Sequence, residues 1–259
     1  MKIGCCGTPE EASYLAEAGF DFLECPVKEL LPRESEERFE SHIREHRVAL
    51  ERLPTYAFNS FIPGDLKVTG PDVDAGELER YVETALRRVS KLGGSIVVFG
   101  SGGARSVPDG FPREEAWLQI IDFLRTTDEI AGACGVTIVI EPLRRQESNI
   151  LNTLEETVAM VKDVDRPAHV RALVDLYHMR EEEEEYRFIG EAGALLTHVH
   201  VADSERLHPG TGDYDFRGFL EHLNGINYPG ELSIECKWSD KPNEAGQALR
   251  FLKEVGFAD

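Results

Sequence analysis

Four residues of metal-ligand type each close a short apolar run in this chain. Glu141 ends VTIVIE (136–141), Asp175 ends VRALVD (170–175), His200 lies in LTHVHVA (196–202) and Glu235 ends GELSIE (230–235). They are separated by 34, 25 and 35 residues. A single carboxylate at the end of a buried strand is often only a hydrogen-bond acceptor. Four such groups gathered together carry a large desolvation cost unless a cation offsets it. Three carboxylates and one imidazole suit one hard or borderline divalent ion. Mn2+ is the first expectation, with Mg2+, Co2+ and Zn2+ also compatible.

The elements that must position these residues follow from the same runs. Apolar segments recur at 2–6, 21–25, 55–60, 95–99, 136–141, 170–175, 196–202 and 230–235. Amphipathic stretches lie between them, as at 76–92, 113–134 and 153–164, with apolar residues at helical spacing. Thr153 with Glu156 three residues on has the form of a helix-capping pair. Eight strand-then-helix units fill residues 1–259, which predicts one α/β domain, a (β/α)8 TIM barrel. An open doubly wound sheet fits less well, because no GxGxxG follows the first run. In such barrels chemistry sits where the strands end at their C-terminal edge. Neighbouring strands are about 4.8 Å apart, so four adjacent strand ends can converge on one ion.

Other residues near those edges are candidates for the pocket. Glu24 ends the second run and faces the same mouth, where it can contact substrate. Trp238 follows the eighth strand and is read as a pocket wall. His198 shares a strand face with His200, one layer deeper, and reads as a core histidine supporting the site. The loop VVFGSGGARSVPDGFP (97–112) has two readings: a tight turn permitted by Gly100, Gly102 and Gly103, or a substrate-facing loop carrying Ser101 and Arg105. Asn59 and Phe61 belong to the pocket or to a buried loop. The acidic run Glu181–Glu185 reads as a helix entry or a solvated loop, and His42, His46, His169, His208 and His222 as helix or loop residues, most of them at the surface.

Bulk properties narrow the function further. The net charge of −20 argues against a nucleic-acid surface, which needs clustered Lys and Arg. No apolar run approaches the length of a membrane span, and the N-terminus does not have the form of a signal peptide. Five cysteines without a CxxC pair point to reduced, buried thiols and a cytoplasmic location.

The chain resembles the xylose isomerase-like sugar phosphate isomerase/epimerase superfamily. The carrying motifs are IEPLRRQESN (140–149), VDLYH (174–178), HVHVADSERLHPGTGDYDF (198–216) and SIEC (233–236). The resemblance implies a metal held by Glu141, Asp175, His200 and Glu235, with Glu141 and Glu235 doubling as the acid/base pair. It also implies that His178 hydrogen-bonds a substrate oxygen beside the metal, and that Glu147 and Arg206 contact substrate hydroxyls. The implied enzyme is a sugar isomerase or epimerase whose partner is a small carbohydrate, and the resemblance leaves room for a homo-oligomer.

The chemistry holds together physically. A cation on a carbonyl oxygen stabilises the enediolate formed when a neighbouring carbon loses its proton. Two carboxylates on opposite faces can then exchange that proton across the sugar. The same base and metal would also serve a lyase or dehydratase acting on a keto-sugar, an inosose or an oxidised glycoside. A non-catalytic sugar-binding barrel has little use for two such bases. The abasic-site endonuclease branch needs a trinuclear zinc site, and its extra strand-end ligands are missing apart from Glu24 and Asp203.

Overall fold

The computed structural model describes residues 1–165 and 167–258. Eight parallel strands pair in chain order, and β8 closes on β1 to complete a barrel. They are β1 (Ile3–Cys6), β2 (Phe22–Pro26), β3 (Thr55–Asn59), β4 (Ile96–Phe99), β5 (Thr137–Ile140), β6 (Val170–Asp175), β7 (Leu196–Val201) and β8 (Glu231–Ile234). The helices are α1 (Ala12–Ala18), α2 (Glu36–Arg52), α3 (Ala75–Lys91), α4 (Gly102–Arg105) and α5 (Arg113–Cys134), then α6 (Leu154–Asp163), α7 (Leu176–Glu181), α8 (Arg187–Ala192), α9 (Phe216–Gly225) and α10 (Lys241–Val255). The (β/α)8 TIM barrel expected from the sequence is the architecture found.

Both faces of the sheet are covered, which is why the strands read as near-continuous apolar runs rather than alternating ones. Inside the barrel, Phe22, Ala57, Ile96, Val98, Val139 and Leu173 form a compact apolar plug. A larger apolar layer joins the outer strand faces to the helices. Gly135 ends α5 in the left-handed region at φ 68°, turning the chain into β5. At the start of α6, the Thr153 hydroxyl accepts from the Glu156 N–H at 3.1 Å. The Glu156 carboxylate reaches one residue past the usual capping-box partner and accepts from the Asn152 N–H at 2.7 Å.

Register aligns the chemistry-bearing strand ends. Asp175 pairs with His200, and His200 with Ser233. Glu141 and Glu235 follow the last residues of β5 and β8, and their N–H groups donate to Phe99 and Val201 carbonyls at 3.2 and 3.1 Å. The ladder therefore holds both glutamate backbones although neither is within a strand.

Gly4 marks the tightest point of the plug. A Cβ there would lie 2.2 Å from the Phe22 ring, which is itself packed edge-on against Tyr56. Gly4→Ala is expected to destabilise the fold by about 1–3 kcal/mol through overpacking, read as a lower denaturation midpoint. An unchanged midpoint would show that the ring has room to move.

Candidate active site and metal centre

The mouth of the barrel gathers the four strand-end residues around His200. Its Nδ1 lies 3.1 Å from Glu141 Oε1, 3.7 Å from Glu235 Oε2 and 4.0 Å from Asp175 Oδ2. Ligand atoms of Glu141, Asp175, His178 and Glu235 also lie within 4.8 Å of one another. Asp175, His178 and His200 are fully shielded from solvent or nearly so, while Glu235 keeps partial exposure toward the opening.

Local hydrogen bonds decide which atom of each residue faces the centre. Asp175 caps α7, its Oδ1 accepting from the Tyr177 and His178 N–H groups at 2.7 and 3.2 Å. Its Oδ2 is buried with no hydrogen-bond partner. Glu24 lies below, its two oxygens each 2.8 Å from a histidine Nε2, one of His198 and one of His200. A carboxylate only accepts, so both ring nitrogens of His200 donate here, Nε2 to Glu24 and Nδ1 to Glu141; loss of the Nδ1 proton leaves a lone pair on that side. His178 is set the other way: Nδ1 accepts from the Arg144 N–H at 3.2 Å, so Nε2 carries the proton. That Nε2 is buried and unpartnered. His200 Nδ1 thus faces the carboxylates, and His178 Nε2–H is left without an acceptor.

The electrostatics match a site short of positive charge. Burial pushes the Glu235 carboxyl above its usual range, and Glu141 adds to the push. Burial opposes charge on His200, but Glu24 and then Glu141 outweigh it and hold the imidazole well above its ordinary range. Glu24 resists desolvation through the two histidines, which hold it well below the usual carboxylate range. Buried carboxylates leaning on a proton in this way, together with the orphaned Asp175 Oδ2, form a donor set that fits a divalent cation.

Around the mouth runs an alternating chain of charges. Arg206 Nη2 donates to Glu235 Oε2 at 2.6 Å and Arg206 Nη1 to Glu147 Oε1 at 3.1 Å. Arg144 donates to Glu147 at 2.8 Å and to Glu181 at 2.9 Å, and Tyr214 donates to Glu181 at 3.1 Å. The Tyr177 ring lies between the two guanidiniums, 5.1 Å from that of Arg144 and 5.3 Å from that of Arg206. Arg206 and the preceding Glu205 both have positive φ, 63° and 60°. Two consecutive left-handed non-glycine residues store strain, held here by Asp203, which accepts from the N–H groups of Ser204, Gly210 and Tyr214.

Several expectations need revision. Glu24 is fully buried with both oxygens taken up by histidines, so it supports His200 from beneath and leaves no oxygen free for the mouth. The Arg105 guanidinium is likewise committed to the interior. It is fully buried and donates to the backbone carbonyls of Phe99 and Glu141, each at 2.7 Å; burial lowers its guanidinium to about 10. Ser101 Oγ accepts from the Ile62 N–H, bracing one loop on another. The acidic run is solvated at Glu181, Glu183 and Glu185, but Glu184 is buried and accepts from the Leu154 and Glu155 N–H groups at the start of α6. Trp238 is partly buried and stacks on His208, with centroids 5.7 Å apart.

Gly100 has a role that the sequence does not announce. A Cβ there would lie 2.1 Å from Glu141 Oε2, so the missing side chain is the space the carboxylate occupies. Gly100→Ala is expected to lower Mn2+ affinity by about 10–100-fold, the usual cost of disturbing a ligand's support, with a thermal midpoint close to wild type. Unchanged affinity would show that Glu141 sits elsewhere when metal is bound.

Comparison with known proteins finds sugar epimerases among the relatives. A 3-dehydro-D-guloside 4-epimerase from Escherichia coli (strain K12) is 28% identical over 237 residues, covering 87% of this chain and 86% of that protein. An L-ribulose 3-epimerase from Mesorhizobium japonicum is 32% identical over 187 residues, covering 71% of this chain and 62% of its own. The structure of D-psicose 3-epimerase from Clostridium cellulolyticum H10 with D-tagatose superposes with a TM-score of 0.86 at 24% identity, covering 98% of this chain and 99% of that one. Residues 12–255 match the family described as xylose isomerase-like TIM barrel, and the chain belongs to that family.

Proposed function

We propose that this chain is a divalent-metal-dependent epimerase or isomerase of carbonyl-bearing sugars, with Glu141 and Glu235 as its proton-transfer pair. The observation that carries this reading is their convergence on His200 Nδ1, at 3.1 and 3.7 Å, beside the unpartnered Asp175 Oδ2. Glu141, Asp175, His200 through Nδ1, and Glu235 would hold the ion, with Mn2+ the first candidate. When bound, a divalent cation polarises a carbonyl and stabilises negative charge on its oxygen. Glu141 and Glu235 come from β5 and β8, three strands apart around the rim, so a sugar between them presents one face to each. One takes the proton beside the carbonyl and the other returns it on the opposite face, which inverts that carbon. His178 Nε2–H donates to a sugar oxygen, and Arg206 and Glu147 bind hydroxyls further out. Trp238 supplies an apolar wall.

The E. coli relative aligns along most of its length, and its name places the inverted carbon next to a keto carbon. The ketose 3-epimerases perform the same operation one position along. We therefore take 3-keto-glycosides as the first substrates to test and free ketoses as the second. The five cysteines are free, and burial raises the thiols of Cys5, Cys6, Cys25 and Cys236. Such inert thiols accord with the cytoplasm as the working compartment. Among the described residues no helix is long and apolar enough to cross a membrane.

The test is proton exchange. Metal-loaded protein in D2O should place deuterium on the carbon beside the carbonyl and yield the epimer. Glu141→Gln and Glu235→Gln should each lose both by at least about a hundredfold, in line with loss of a general acid/base, while remaining folded. Exchange that survives either substitution would remove that residue from the pair. Release of a leaving group in place of an epimer would assign the same base to a lyase.

Arg206→Gln should raise KM and also move the acid limb of the kcat profile to higher pH. Burial and Glu141 already push the Glu235 carboxyl up, and Arg206 opposes them. Removing that cation raises the carboxyl further, so the base form appears later as pH rises. A change in KM with an unmoved pH profile would separate Arg206 from Glu235 chemistry.

A further inference from the structure

On the outer flank of the barrel, α2 carries His42, Glu45 and His46, whose ligand atoms lie within 4.8 Å of one another. The i, i+4 spacing puts both imidazoles on one helix face, with ring centroids 4.8 Å apart. Two further carboxylates reach the pair from other segments. Glu29 Oε2, just after β2, is 3.6 Å from His42 Nε2, and Glu10 Oε1, just after β1, is 3.4 Å from His46 Nε2. His42 Nε2 is buried and has no hydrogen-bond partner. Each histidine side chain is only 17% exposed.

These separations are informative. Gaps of 3.4 and 3.6 Å are too long for good N–H···O hydrogen bonds. They are close to the distance between two ligands on a tetrahedral cation, about 3.3–3.5 Å for bonds of 2.0–2.1 Å. An unpaired buried nitrogen facing a carboxylate at that spacing is a half-built coordination sphere.

We propose that His42, Glu45 and His46, with Glu29 beside His42 and Glu10 beside His46, form a second, peripheral site for an imidazole-preferring transition metal of the Zn2+ or Ni2+ class. Its donors differ from those at the barrel mouth. Two imidazoles favour Zn2+ and Ni2+ over Mg2+, whereas the carboxylate-rich mouth accepts hard ions. A bound ion clips α2 to the segments following β1 and β2. The second of these strands carries Glu24, which underlies His200.

Metal stoichiometry tests this independently of the proposed activity. Chelator-treated protein is dialysed to equilibrium against Zn2+, and separately against Ni2+ and Mg2+, and bound metal is measured per chain. Wild type should hold one more equivalent of Zn2+ and of Ni2+ than His42→Gln/His46→Gln, with no such difference for Mg2+. The difference of one is expected whether or not the barrel mouth also binds, so failure of the catalytic reading leaves it intact. The double variant should keep wild-type turnover. Equal Zn2+ stoichiometry in the two proteins overturns the proposal. If the double variant does not fold, His46→Gln alone should bind the peripheral Zn2+ at least tenfold more weakly, and unchanged affinity overturns the proposal equally.

Discussion

The structure depends on keeping several carboxylates together in a place largely shielded from water. Glu24, Glu141, Asp175 and Glu235 all converge on His200 at the end of a barrel whose interior holds an apolar plug. Mutual repulsion and desolvation would drive such groups apart or neutralise them. Backbone pairing prevents the first, because the closed ladder fixes where each strand ends. A shared proton on His200 and the guanidinium of Arg206 oppose the second. A site whose charges are balanced by a proton is readily rebalanced by a metal ion, since the proton leaves as the ion arrives.

A second layer gives the site its atomic precision. Glu24 occupies His200 Nε2, the Arg144 N–H selects the tautomer of His178, and the N–H groups of α7 occupy one oxygen of Asp175. Each contact consumes the atom that should not face the centre. Arg105 gathers the carbonyls of Phe99 and Glu141, which locks the ends of β4 and β5 together directly beneath a ligand-type side chain. Neighbouring loops are tied by the same economy of buried polar groups: Asp203 holds the strained turn that presents Arg206, and Glu184 caps α6.

Much of the fold was legible because its signal is local and repeated. Apolar runs, each followed by an amphipathic stretch, occur eight times, and the observed strands fall within those runs except that β2 extends one residue further, to Pro26. The convergence of Glu141, Asp175, His200 and Glu235 was legible for the same reason: each lies at or near the end of a run, and closure of the barrel turns equal depth along the chain into proximity in space. The supporting groups were not. Glu24 and Glu235 look alike in sequence, each an acid at a strand end. Arg105 lies in a glycine-rich loop that could as well have met a ligand.

What the sequence by itself determined is the set of elements, their order and the residues at their ends, since periodicity and strand-end chemistry are properties of neighbouring residues. The tertiary structure alone decided which end groups point up into the mouth and which serve from below. It also decided that Gly100 makes room for Glu141, and that Glu10 and Glu29 meet the α2 histidines. Those outcomes depend on distances between segments far apart in the chain. Close packing fixes such distances to within the width of an atom, and no local pattern of residue types encodes them.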